Sequence, residues 1–164
     1  LEVSGKMVSL KSELDLIDSY LQIQAMRFEG MVKYELNIES SIKKEEYEIL
    51  PLLLQPVVEN AFVHGLEEKK EKGTIIIDIL EKDNCLIIKV NDDGVGIPPE
   101  KLEEINKKLI LSEENNGKSI GMINVNQRIK IHYGKQYGLS IESEFGKGTI
   151  VTVSLPIIDK MEVL

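Results

Sequence analysis

Glu59, Asn60 and His64 are polar residues in a segment that has no structural need of them. Residues 50–66, LPLLLQPVVENAFVHGL, place Leu52, Leu53, Leu54, Val57, Val58, Ala61, Phe62 and Val63 around most of a helix circumference, the pattern of a helix buried on nearly all sides. Polar groups there cost a few kcal/mol unless something satisfies them. Asn60 and His64 are four apart and share a face, with Glu59 turned roughly a quarter of a circle from Asn60. The spacing predicts an acid, an amide and an imidazole aimed into one cavity. The same residues also suit a core helix whose polar groups cap loops or pair with one another.

Further along, Asp92-Asp93-Gly94-Val95-Gly96 comes straight off a strand. Glycines there let backbone amides approach a ligand or turn sharply, and a carboxylate at the strand end can accept from an exocyclic amine. A turn after a strand holds Asp and Gly for conformational reasons too. Residues 117–121 precede a helix whose first amides are unpaired, a natural phosphate site with Lys118 as a point charge. Asn124 lies one turn inside that helix and Arg128 another turn on, so both can face the same side. A surface loop and a structural Arg128 fit equally well. Gly146-Lys147-Gly148-Thr149 fits a hairpin turn as readily as a site.

These residues need elements to position them. Residues 9–28 read as a helix with Ser9 as N-cap, Glu13 in its first turns, and Leu10, Leu14, Ile17, Leu21 and Met26 near one stripe. That stripe suits either its own domain or a partner helix. Residues 31–38 alternate as a half-exposed strand, and residues 42–48 as a polar connector. Pro51 fits the first turn of the 50–66 helix, Pro56 predicts a kink or a loosened turn inside it, and His64-Gly65 predicts its end in a left-handed cap. Residues 74–80 and 86–90 form an antiparallel hairpin, and an amphipathic helix opening at Pro98 or Pro99 uses Leu102, Ile105 and Leu109. Residues 111–119 have the composition of a mobile loop, and 120–133 return to helical spacing up to Gly134. Strands at 138–144 and 149–155 close the chain, with a tail after Pro156 expected to be disordered. Five strands and about four helices predict an α+β fold, with helices on one face of a mostly antiparallel sheet.

The 164 residues fit one domain with a real core. A formal net charge of −8 excludes a nucleic-acid binder that works through a basic surface. A phosphate ligand must then be held by local donors and a metal ion, since long-range attraction opposes it. Cys85 is the only cysteine, which excludes an internal disulfide and a cysteine-based zinc site and suits a reducing, cytoplasmic setting. No apolar run reaches membrane-spanning length, and the chain reads as a soluble piece of something longer.

In combination the motifs are more specific than singly. ENAFVHG resembles the N box, NDDGVGI the G1 box, SIGMINVNQRI the G2 box and FGKGT the last glycine motif of the GHKL ATPases, a likeness running from about Leu50 to Pro156. With ELDLIDSYLQIQAMRF and LLLQPVVENAFVHG, the chain looks closer still to LytS/YesM-type bacterial sensor histidine kinases than to the group at large. The resemblance implies the Bergerat fold, a two-layer α/β sandwich with a mixed five-stranded sheet. It implies that Asn60 ligates Mg²⁺, that Glu59 orients or deprotonates the acceptor, and that His64 sits near the phosphates of ATP. It further implies that Asp92 binds the adenine amine with Thr149 nearby through water, that Gly94 and Gly96 shape the pocket, and that loop 111–121 is an ATP lid. Lys118 and Gly121 would meet the phosphates, and Asn124 the phosphates or the lid. Two departures stand out: Ser119-Ile120-Gly121 replaces a GxG pattern, and the two histidines, His64 and His132, leave the phosphoacceptor histidine outside this chain.

The expected division is therefore residues 1–30 as the end of a dimerisation and phosphoacceptor region, 31–156 as the ATP-binding catalytic domain, and 157–164 as a tail. The fragment is expected to bind ATP or ADP and donate phosphate without phosphorylating itself. Its expected partners are the upstream phosphoacceptor domain and a response regulator, within a homodimeric, membrane-anchored parent. An ATPase clamp and a catalytically inactive nucleotide-sensing or dimerisation module are the alternatives.

Overall fold

The computed structural model describes residues 6–69, 71–111 and 120–162. In chain order these form β1 (Val8–Ser9), α1 (Leu10–Arg27), β2 (Val32–Ile38), β3 (Glu48–Ile49), α2 (Gln55–Asn60) continuing as a π-helix (Ala61–Leu66), β4 (Gly73–Lys82), β5 (Cys85–Asp92), α3 (Pro99–Leu111), α4 (Ile120–Tyr133), β6 (Gly138–Glu144) and β7 (Gly148–Pro156).

Period-two alternation builds the main sheet. Ile75, Ile77 and Ile79 of β4, Leu86, Ile88 and Val90 of β5, and Val151, Val153 and Leu155 of β7 are all buried, while the residues between them stay partly exposed. The helices cover the buried face. Strand order is β2-β4-β5-β7-β6, with β2 parallel to β4 and every other pair antiparallel, the mixed and mostly antiparallel α+β arrangement expected. Asp83 and Asn84 turn the β4–β5 hairpin with φ of 52° and 60°, the paired left-handed conformation that short polar side chains tolerate. That register brings Asp92, the last residue of β5, opposite Thr149 near the start of β7.

Helix α1 starts at the expected cap, where the Ser12 amide donates to Ser9 Oγ at 3.1 Å. Leu10, Leu14, Ile17 and Leu21 are buried in the same core as the sheet, so the stripe packs on its own domain. Met26 does not continue it and is 76% exposed. Five residues past Leu21, at about 100° each, it points roughly 140° away from the stripe.

Three local expectations are corrected. Residues 51–54 are a turn, and α2 begins only at Gln55, so Pro56 occupies the first helical turn, where its missing N–H is free of cost, and no kink forms. His64-Gly65 does not end the helix; the chain runs on as a π-helix to Leu66, with Glu67 still right-handed at φ −61°. The tail is tied down as far as residue 162: the Glu48 amide donates to the Ile158 carbonyl at 2.8 Å and Lys160 to Glu46 at 3.1 Å. Buried Asp159 accepts from Lys43 Nζ at 3.2 Å and from the Met161 amide at 2.9 Å.

Candidate functional site

The entry to α2 has no side-chain cap of its own. Glu13 of α1, 1% exposed, supplies it: its carboxylate accepts the amides of Leu52 at 2.6 Å, Leu53 at 3.2 Å and Leu54 at 3.3 Å. A buried carboxylate is tolerable because three N–H groups satisfy it and because helix N-termini favour negative charge. Arg128 serves the same turn, donating to the carbonyls of Pro51 at 2.7 Å and Leu52 at 3.2 Å, which makes it structural here.

Two neighbouring cavities open along α2 and the π-helix. The first, about 220 Å³, has Asp92 and Thr149 from the sheet, Asn60 and His64 from α2 and the π-helix, and apolar walls from Ile97, Ile105 and Met122. The second, about 190 Å³, is bordered by Glu59, Asn60, His64, Gly121 and Met122. Asn60, His64 and Met122 line both, so a slot with apolar walls and one buried carboxylate, Asp92, with Glu68 and Lys101 also in its lining, adjoins a polar space holding an acid, an amide and an imidazole. Glu59 accepts from Gln55 Nε2 at 3.0 Å, and His64 Nδ1 lies 3.8 Å from Glu68 Oε1.

Asp92 is 4% exposed, and its Oδ1 accepts from the Gly94 amide at 2.9 Å. Burial pushes its carboxyl up to about 6 from an ordinary 3.8; the amides of Gly94 and Thr149 and the charge of Lys69 pull it down, and Asp93 adds to the rise. A planar ring between apolar walls that presents an amine to this carboxylate would satisfy it.

The glycines around Asp92 are required by contact. A Cβ on Gly65 would lie 2.6 Å from Asp92 Oδ1, and one on Gly94 would lie 2.3 Å from the Gly65 carbonyl. Thr149 is fixed by a 2.9 Å hydrogen bond with Ser143 Oγ, which itself donates to the Gly148 carbonyl at 2.8 Å and receives the Ile97 amide at 2.8 Å.

Of the residues singled out in the sequence, Asn60, His64, Asp92, Gly96 and Thr149 border the first cavity, and Glu59, Asn60, His64 and Gly121 the second. Gly94 stands behind the wall against Gly65. Asn124 is exposed on α4 and borders neither cavity. Lys118, with residues 112–119 of the loop, lies outside the described residues. Lys101, Glu68, Gly65, Ser143 and Glu13 were not singled out for the site. Their neighbours are mostly distant in sequence, and Gly65 is the one that motif ENAFVHG already contained.

The family described as histidine kinase-, DNA gyrase B-, and HSP90-like ATPase matches residues 48–159, the span that carries both cavities. The chain belongs to this ATPase family. Among relatives, it is 38% identical over 151 residues to the sensor protein LytS of Bacillus subtilis, covering 92% of this chain and 25% of that protein. To the sensor histidine kinase YesM of the same organism it is 33% identical over 151 residues, covering 92% and 24%. The chain thus spans about a quarter of the length of these relatives. The catalytic domain of histidine kinase ThkA superposes with a TM-score of 0.66 at 15% identity, covering 92% of this chain and 95% of that one, which supports the fold of the ATPase family.

Proposed function

We propose that this chain is the ATP-binding catalytic domain of a sensor histidine kinase, passing the γ-phosphate of ATP to a histidine on an upstream phosphoacceptor domain. The observation that carries the reading is the buried Asp92 carboxylate in an apolar slot that adjoins Glu59, Asn60 and His64. The likeness to sensor kinases over 92% of the chain supports it.

Adenine would lie in the slot, its amine donating to Asp92, with Thr149 nearby through water and Gly94 and Gly96 shaping the wall. The phosphates would reach the second cavity, near His64, Gly121 and, from the lid, Lys118, while Asn124, exposed on α4, would meet the phosphates or the closed lid. Asn60 borders both cavities, and its amide oxygen fits a hard cation that also takes phosphate oxygens. Among the described residues no cluster of three or more His, Cys, Asp or Glu side chains could hold a metal unaided, so Asn60 and the nucleotide would share that task. When bound, Mg²⁺ neutralises charge developing on the transferring phosphoryl oxygens. Glu59, held by Gln55, would orient the acceptor imidazole or take its proton.

Residues 1–30 would join the dimerisation and phosphoacceptor region to the catalytic domain of residues 31–156, with helix α1 packed into that domain's core, and 157–164 would be its tail. The parent would be a membrane-anchored homodimer that hands phosphate on to a response regulator. No helix among the described residues is long and apolar enough to cross a membrane.

The test mixes labelled ATP, this chain and a separately made histidine-bearing domain of the parent. Label should appear on the histidine, and Glu59→Gln should slow transfer by about 100-fold with ATP affinity held within about twofold. Transfer that Glu59→Gln leaves unchanged would remove the base from the reading.

A further inference from the structure

Building on the ATP-site reading, we propose that Glu13 and Arg128 form a two-sided clamp that couples helix α1 to the nucleotide site through the turn at residues 51–54. The turn holds Leu52 at φ 54°, a left-handed conformation that is unfavourable for a residue with a branched side chain. Leu52 is 56% exposed, so core packing does not hold it there. Side chains from two helices do. Glu13 of α1 takes the amides of residues 52, 53 and 54, and Arg128 of α4 takes the carbonyls of 51 and 52. Tyr133 Oη, also from α4, accepts the Leu50 amide at 3.1 Å. Both peptide groups that flank Leu52 are therefore pinned, one helix holding donors and the other acceptors.

The position of this turn sets the position of the site helix. Gln55, the next residue, begins α2, and Glu59 and Asn60 stand one turn further on. Helix α4 in turn brings Gly121 and Met122 to the cavities and Arg128 to the turn. Helix α1 borders neither cavity and precedes the matched span 48–159, yet its one buried carboxylate grips the start of the site helix. A nucleotide that shifts α4 must pull on the same peptides that α1 holds, and a displacement of α1 must move Glu59 and Asn60. Such coupling is reciprocal by thermodynamic necessity.

Amide hydrogen exchange on the full chain, with and without saturating MgADP, tests the clamp in wild type, Glu13→Gln and Arg128→Lys. Glu13→Gln keeps one acceptor oxygen, and Arg128→Lys keeps the charge but not the fork that bridges two carbonyls. In wild type, MgADP should slow exchange by about fivefold or more at residues 52–54 and 10–21, besides the cavity segments 60–66 and 92–97. In either variant the cavity segments should remain protected while the effect on 10–21 falls below about twofold. Protection of the cavity segments alone in wild type would overturn the clamp, as would variants that retain the effect on 10–21. Variants that lose protection everywhere would make Glu13 and Arg128 merely structural and overturn it too. Wild type without protection at any segment would instead refute the ATP site, and the coupling with it.

Discussion

Asp92 carries a conflict that single-residue chemistry resolves. Its carboxyl is raised from 3.8 to about 6 chiefly by burial, so the folded state prefers it protonated. That preference stabilises the fold fully below about pH 3.8 and is lost as pH rises through about 6. Above pH 6 the nucleotide-free protein therefore carries the cost of a buried charge at Asp92. Asp92→Asn should stabilise the nucleotide-free chain at pH 7.5 by up to about 3 kcal/mol and confer little advantage at pH 4, as read by denaturant unfolding at the two values. Equal stabilities at pH 7.5 would contradict the burial account. Gly65 meets the same carboxylate from the other side. Gly65→Ala should cost about 1–3 kcal/mol in unfolding and weaken ATP binding by at least about tenfold, because its Cβ would stand 2.6 Å from Asp92 Oδ1. The motifs made Asp92, Asn60, His64 and Thr149 legible from residue type and order. Glu13 and Ser143 were not legible: Glu13 acts on amides 39 to 41 residues away, and Ser143 is a strand position like any other until β6 pairs with β7.

The five strands of the main sheet and the two later helices followed from periodicity, and α4 runs from residue 120 to 133 as its spacing indicates, whereas the two-residue strands β1 and β3, which pair only with each other, are too short to show a period. The helix at the centre of the site did not, because proline was read from its neighbours alone. Two prolines five apart offer two candidate first turns, and the choice of Pro56 over Pro51 rests on Glu13 holding the turn between them. Similarly, Gly65 has the composition of a cap and serves instead as the space Asp92 needs. Since Pro56 sits in the first turn of α2, Pro56→Ala should destabilise the chain by about 0.4–1 kcal/mol through the unfolded state. A proline kinking a helix interior would give the opposite sign, a gain of about 3 kcal/mol on replacement. Thermal or urea unfolding of this one variant separates the two.

At the scale of the molecule, the parallel β2–β4 pair and the antiparallel remainder set Asp92 and Thr149 side by side beneath the helix that carries Glu59, Asn60 and His64. Fold class was legible because alternation and helical spacing are local properties. The anchoring of the tail on residues 46–48 was not, since it depends on backbone hydrogen bonds across more than a hundred residues. With a net charge of −8 the molecule as a whole repels a nucleotide, so binding has to come from the site itself. Calorimetric titration of ATP into wild type, Asp92→Asn and Asn60→Ala, with and without Mg²⁺, tests that claim most directly. Wild type should bind ATP more tightly with Mg²⁺, Asp92→Asn should abolish binding, and Asn60→Ala should remove the magnesium dependence. A folded wild-type chain that takes up no ATP, or an Asp92→Asn variant that binds it undiminished, would contradict a nucleotide site built on Asp92.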